Sequence, residues 1–205
     1  MTERAPPLQR PGEPARPAVE VVVIGASAGG VQALIELLSG LPAAYPLPVV
    51  VLLHTPDDRH GRLAEVLNAR LLLPVSEARD KEPLAGGRVH VAPGGVHLSI
   101  EADRSFSLSG EEPVHHSRPS IDVLMVSAAD ACGPVAAGVL LTGASADGAE
   151  GLARIGEAGG VTVVQDPAEA ASPIMPLAAL KRRQPDHVLP LSGILALMRE
   201  WGGES

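Results

Sequence analysis

The stretch VVVIGASAGGV, residues 21–31, decides the fold. Val21 to Ile24 form an unbroken apolar run with no polar alternation, the mark of a strand buried on both faces. The run ends in small residues, Gly25 to Gly30, whose one reactive group is the hydroxyl of Ser27. Beyond it Val31, Leu34, Ile35 and Leu38 recur at helical spacing, and Gly40 and Pro42 stop that helix. A strand, a tight turn and a helix, with Gly-x-Ser-x-Gly at the junction, is the setting of a nucleophile elbow. Little side chain fits beside such a turn, and the N–H groups opening the helix can receive an oxyanion. The same small residues also suit a turn that merely packs helix on strand, or holds a phosphate.

Working outward, strand and helix patterns alternate. LPVVVLLH (47–54) is a second buried strand, and Leu63, Val66 and Leu67 mark a helix after it. Residues 88–109 read as short antiparallel strands, with turns at Pro93-Gly94-Gly95 and Ala102-Asp103. Ser120 caps a helix to about residue 129, with Asp122 in its first turn. A strand at 135–143, a helix at 148–158, a strand at 161–165, a helix near 177–183, a strand at 187–191 and a helix at 192–201 complete the pattern. This predicts a doubly wound α/β fold: a mainly parallel sheet, helices on both faces in a Rossmann-like three-layer arrangement, and a small antiparallel hairpin. Residues 1–18, rich in Pro, Arg and Glu, read as a disordered tail, and 19–205 as one catalytic domain.

Composition narrows the function. The 205 residues include one Trp, one Tyr and one Phe, which argues against stacking platforms for single-stranded nucleic acid. A net charge of −8 argues against nucleic-acid or anionic-membrane partners. The single cysteine, Cys132, permits no internal disulfide and reads as a small core residue. No apolar run approaches the ~18 residues of a membrane span, and no signal peptide is evident, so a cytoplasmic location is expected.

A serine needs a base. His54 ends the second apolar run, and Asp147 lies in LLTGASADGAEG, after the strand at 135–143. Taken alone, His54 could simply begin a loop and Asp147 could cap the helix that follows it. Taken together, Ser27, His54 and Asp147 fall at one edge of the predicted sheet, which is a triad arrangement. The cluster of His54, Asp57, Asp58 and His60 reads as a solvated loop rather than a metal site. His90 and His97 fall on the predicted antiparallel strands, His115-His116 in a loop beside the site, and His187 opens a late strand.

IGASAGG, LLHTP, APGGVHL, HSRPSIDVLM, LTGASADGAEG and QDPAEA with a following IMP occur here in one order. In these motifs the chain, from about 21 to 201, resembles the catalytic domain of the chemotaxis protein-glutamate methylesterase family, CheB. The resemblance implies a serine hydrolase with Ser27, His54 and Asp147 as its triad. It implies oxyanion donors at Ala28 and Ala144 and substrate contacts from Arg118 and Ser120. The implied substrates are glutamate methyl esters, and in some members glutamines, on chemoreceptors. No metal or organic cofactor is implied. Partners would be a methylated chemoreceptor or related sensory protein and a separate regulator, with no nucleic acid and no membrane insertion. Arg59, Arg62 and Arg118 could form a basic rim facing an acidic receptor helix.

The chain departs from the family pattern at Ala28, Leu53, Ala144-Ser145 and Ile174, where Thr, Gln, Met-Gly and Gly are common. Family members typically carry a receiver domain before the first strand, where about 18 residues are read here as a tail, so switching by its own aspartyl phosphate is not expected. Three other readings stand beside this one. A patatin-like Ser-Asp hydrolase fits Asp147-Gly148-Ala149 but leaves His54 idle. A short-chain dehydrogenase would need Tyr-x-x-x-Lys, which Tyr45 does not provide. A partner-binding module of the same fold, weak in catalysis, remains the non-enzymatic alternative.

Overall fold

In the computed structural model, which describes residues 17–54 and 62–203, the opening run becomes an inner strand of a seven-stranded sheet. The predicted tail up to residue 16, and the loop carrying Asp57, Asp58, Arg59 and His60, lie outside the described residues. The elements are β1 (Val21–Ala26), α1 (Gly30–Ser39), β2 (Val49–Leu53), α2 (Arg62–Asn68), β3 (Val75–Glu77), β4 (Val89–Val91), β5 (His97–Ile100) and β6 (Phe106–Ser109). After these come α3 (Ile121–Cys132), one 3-10 turn (Gly133–Val135), β7 (Ala136–Leu140), α4 (Ala149–Glu157), β8 (Val161–Gln165), α5 (Ile174–Arg182), β9 (His187–Leu189) and α6 (Leu191–Trp201).

The sheet order is β3-β4-β2-β1-β7-β8-β9, and every pairing in it is parallel. From β1 the chain first builds one edge, through β2, β3 and β4, then returns to β1's other side with β7 and builds the second edge. The strand order therefore reverses between β1 and β7, and ligand sites in such sheets lie just outside the carboxyl ends at that point.

Strand β1 supplies both cores by its two-residue period. Val22 and Ile24 face a layer that includes Leu34, Leu37 and Leu38 of α1 and Ile194 and Met198 of α6. Val21 and Val23 face the opposite layer, with Leu124 and Met125 of α3, Leu152 and Ile155 of α4, Met175 of α5, and Leu98, Ile100 and Phe106 of the β5–β6 hairpin. Cys132 is buried in this second core, as the sequence suggests.

Two readings change. Residues 89–91 are not antiparallel: β4 is a buried parallel strand between β2 and β3, and only β5 and β6 form the antiparallel pair. Pro93-Gly94-Gly95 therefore carries the chain off the sheet rather than back along it. His90 consequently lies in the sheet interior, its Nε2 donating to the Ala85 carbonyl at 3.1 Å. Helix α5 begins at Ile174, before Pro176, because a proline in the first turn forfeits no intrahelical bond.

Leu34 is fully buried against the sheet, whereas Val31, one turn earlier on the same helix, is 43% exposed. Leu34→Ala should lower the unfolding free energy in urea titration by about 2–5 kcal/mol. Val31→Ala should change it by no more than about 0.5 kcal/mol.

Candidate active site

Ser27 leaves the end of β1 with its backbone fixed on both sides. Its N–H donates to the Thr142 carbonyl at 2.9 Å, and its own carbonyl accepts from Gly30 at 2.7 Å. Gly29 turns the chain into α1 in the left-handed region, at φ 80°. The bareness of the turn has a packing cause. A Cβ on Gly25 would sit 2.4 Å from Ile121 Cγ2, one on Gly29 2.7 Å from Ala171 Cβ, and one on Gly30 2.4 Å from Leu53 Cδ1. These glycines let α3, the 171–172 loop and β2 close around the turn, and Ser27 itself stays partly exposed.

His54 follows β2, and its N–H donates to the Ala26 carbonyl at 3.2 Å, continuing the β1–β2 ladder past the strand end. Its Nε2–H donates to Asp147 Oδ2 at 2.8 Å. Asp147 is fully buried in the turn after β7. It also accepts from the Ile121 N–H (2.7 Å), the Asp122 N–H (3.0 Å) and the Ser120 hydroxyl (2.8 Å). The alternative of a cap on its own helix does not hold: Asp147 serves the N-terminus of α3. The N-terminus of α4 is served by Asp122, whose Oδ1 accepts from Gly148 at 2.9 Å and Gly151 at 2.7 Å. The two carboxylates exchange caps across the helix pair.

Their environments drive them apart. Burial alone would raise the Asp147 carboxyl, but the bonds from His54, from the Asp122 and Ile121 amides and from Ser120 outweigh it and hold it at about 2. Asp122 is pushed up to about 6, chiefly by burial and then by the neighbouring Asp147, against the pull of the Gly151 and Gly148 amides. Asp147 is thus held as the anion that an imidazole donor needs.

The other expected site residues fall in different places. Ser120 is fully buried, its hydroxyl bonded to Asp147 while it accepts from Val123 N–H, so it supports the carboxylate and does not reach substrate. Arg118 is exposed, but its guanidinium is tied to the carbonyls of Gly110 (3.1 Å) and Glu111 (2.9 Å). Ala28 and Ala144 are both exposed at the strand ends, Ala28 beside Ser27 and Ala144 after β7. His115 lies 3.5 Å from Asp122 and is 65% exposed. Tyr45 is buried in the core on the α1 side.

Two supporting residues, Thr142 and His97, escape sequence reading. Thr142, after β7, donates its hydroxyl to the Ala28 carbonyl at 2.8 Å and accepts from the Ser172 amide at 2.9 Å. Its own amide donates to Gln165 Oε1 at 2.8 Å, so one residue bolts the serine turn to β8 and the 171–172 loop. His97 accepts from the Ser120 amide through Nδ1 at 3.2 Å and donates from Nε2 to the Glu112 carbonyl at 3.1 Å, fixing the start of α3. The sequence marks Thr142 and His97 only by their place in motifs, since their partners lie far away along the chain.

A cleft of about 520 Å³ opens over Ser27 and His54. Its walls are largely apolar, with Val31 from α1, Leu53 from β2 and Leu63 and Val66 from α2, while Gln32 and Arg62 supply polar groups. Such a cleft suits an aliphatic acyl chain presented beside a hydroxyl.

These features define a doubly wound α/β protein whose candidate site has the make-up of a serine hydrolase: a hydroxyl at one strand end, with a histidine-carboxylate pair at two others. The family model described as CheB methylesterase matches residues 22–198, and the chain belongs to that family. It is 42% identical over 178 residues to a putative protein-glutamate methylesterase/protein-glutamine glutaminase of Leptospira interrogans, covering 87% of this chain and 92% of that one. It is 46% identical over 193 residues to protein-glutamate methylesterase/protein-glutamine glutaminase 2 of Anaeromyxobacter dehalogenans, covering 94% of this chain but only 56% of that longer one. The crystal structure of the Thermotoga maritima CheB methylesterase catalytic domain superimposes with a TM-score of 0.85 at 31% identity, covering 89% of this chain and 98% of that one.

The raised Asp122 carboxyl carries a signed consequence for stability. Between the ordinary aspartate value of about 3.8 and its folded value of about 6, the native state holds more protons than the unfolded chain, so this group's contribution falls as pH rises through that window. Asp122→Asn removes the group. Unfolding titrations from about pH 4 to pH 7 should therefore show the variant gaining on the parent protein as pH rises.

Proposed function

We propose that this chain is a protein-glutamate methylesterase, a carboxylic ester hydrolase that removes methyl groups from glutamate side chains. The same site would act on the side-chain amide of glutamine. The observation that carries the reading is the 2.8 Å contact of His54 Nε2 with a buried, ionised Asp147, at the rim of the cleft that Ser27 also lines. Family membership supports it, as do the names of relatives that include protein-glutamate methylesterase FrzG of Myxococcus xanthus, 36% identical over 200 residues. The substrate partner would be a methylated chemoreceptor or related sensory protein. Among the described residues no helix is long and apolar enough to cross a membrane, which is consistent with action from the cytoplasm.

In this mechanism Nε2 is committed to Asp147, so Nδ1 is the ring nitrogen that takes the Ser27 proton. Ser27 Oγ bonds to the ester carbonyl carbon, and the carbonyl electrons move to oxygen. The amides of Ala28 and Ala144 receive that oxyanion, with α1 opening beside it. Collapse breaks the bond to methoxide, which leaves as methanol with the proton from His54. Water then adds to the acyl-serine by the same route, releasing the glutamate carboxylate and restoring Ser27. Asp147 holds the tautomer and stabilises the imidazolium. The apolar cleft holds the glutamyl methylenes, and Arg62 meets acidic groups flanking them.

Methanol release from a methylated chemoreceptor tests the proposal. Ser27→Ala should lower kcat by at least about 1,000-fold, and His54→Ala should do likewise. A serine-directed phosphonate should label Ser27 in the parent protein and not in His54→Ala. Turnover that survives His54→Ala would favour a Ser-Asp dyad. Equal methanol release from the parent protein and Ser27→Ala would leave a partner-binding module.

A further inference from the structure

In the sequence, Asp122 reads only as an acidic residue in the first turn of a helix. In the fold it closes a ring with Asp147. The Asp122 N–H donates to Asp147 Oδ1 at 3.0 Å. In return, Asp122 Oδ1 accepts from Gly148, the residue that follows Asp147, at 2.9 Å, and from Gly151 at 2.7 Å. Gly148 holds φ 94°, and a Cβ there would lie 2.6 Å from Leu140 Cδ1 and 2.7 Å from Ile121 Cγ2. A Cβ on Gly151 would lie 2.6 Å from Met125 Cβ. The turn bearing Asp147 is thus pressed between α3 and β7, and its two amides point at one oxygen of Asp122.

We infer that Asp122 is a positioning residue for the triad, its carboxylate fixing the backbone turn from which Asp147 reaches His54. Asp122 does not line the cleft. The charged groups facing it are Asp147 and the exposed His115, at 3.5 Å. On α4, Glu150 and Arg154 are engaged outward with Arg182 and with Asp130 and Glu157. Asp122 acts through the Gly148 amide and touches neither substrate nor the imidazole. The inference rests on the role proposed for Asp147, but it can be read without turnover.

The test uses the full chain, with nitrogen-15 histidine labelling to follow the low-field His54 Nε2 proton that Asp147→Ala removes. Asp122→Ala leaves the Gly148 and Gly151 amides without their acceptor. It should shift or broaden that resonance and lower kcat by about 10- to 100-fold, since small displacements of catalytic groups cost that much. KM should stay within about twofold, because the cleft is untouched. Asp122→Asn keeps an oxygen at the same place and should retain both the resonance and most of kcat. If Asp122→Ala does not fold, Asp122→Glu carries the test, because it keeps the carboxylate but displaces it by one methylene. It should lower kcat at least about fivefold with KM unchanged.

A folded Asp122→Ala with the parental resonance and kcat would overturn the inference. So would an Asn variant as impaired as the Ala variant, or a Glu variant with parental kcat. If the parent protein released no methanol while its His54 resonance still depended on Asp122, the proposed function would fail and this inference would stand.

Discussion

The site depends on one buried carboxylate. Asp147 is wholly removed from water, and an isolated anion there would be too costly to keep. Four donors make it tolerable: one imidazole, one hydroxyl and two amides at the start of α3. The helix N-terminus adds a favourable field to the amide bonds. Because those donors belong to separate elements, the charge acts as a joint. It fixes α3 against the β7–α4 turn and draws the end of β2 toward both through His54. The geometry of the candidate site and the local packing therefore share one set of contacts.

The switch point explains why three residues distant in sequence come to one edge of the sheet. Strands β2, β1 and β7 are consecutive neighbours in the sheet, so their carboxyl ends lie side by side. Each ends at nearly the same level: Ala26 is paired with Leu53, and Gly25 with Leu140. Ser27 and His54 follow their strands directly, while Asp147 needs a short excursion through 141–146. Thr142 pins the start of that excursion to the serine turn, and Asp122 pins its end. The excursion is held at both ends by groups that never meet the cleft.

This division also explains what was legible in the sequence. Alternating strand and helix patterns pointed to the layers, and strand-end placement pointed to Ser27, His54 and Asp147 as one set. What stayed hidden was the destination of side-chain bonds. Asp147 looked like a cap for the helix beside it, yet it caps a helix that begins 26 residues earlier. The resemblance implied a substrate contact for Ser120, and nothing local reveals that its hydroxyl is buried against Asp147. Residues 89–91 alternate as an antiparallel strand would, and only their pairing with β2 and β3 shows them to be parallel. The glycines around Ser27 showed that little side chain fits there, but not what fills the space. Their absent side chains are in fact space taken by Ile121, Ala171 and Leu53.

The positions singled out in the sequence as differing from the resembled motifs lie outside the buried network. Ala28, Ala144 and Ile174 are exposed around the strand ends, and Leu53 forms part of the cleft wall. Ser145, beside Ala144, has a buried hydroxyl without a partner among the described residues. Exchanging a side chain at the rim alters the volume and polarity that a substrate meets. Exchanging one in the buried network would leave an amide or a charge unsatisfied, at a cost of several kcal/mol for the charge. Substitution is thus cheap at the rim of the cleft and expensive in the buried network.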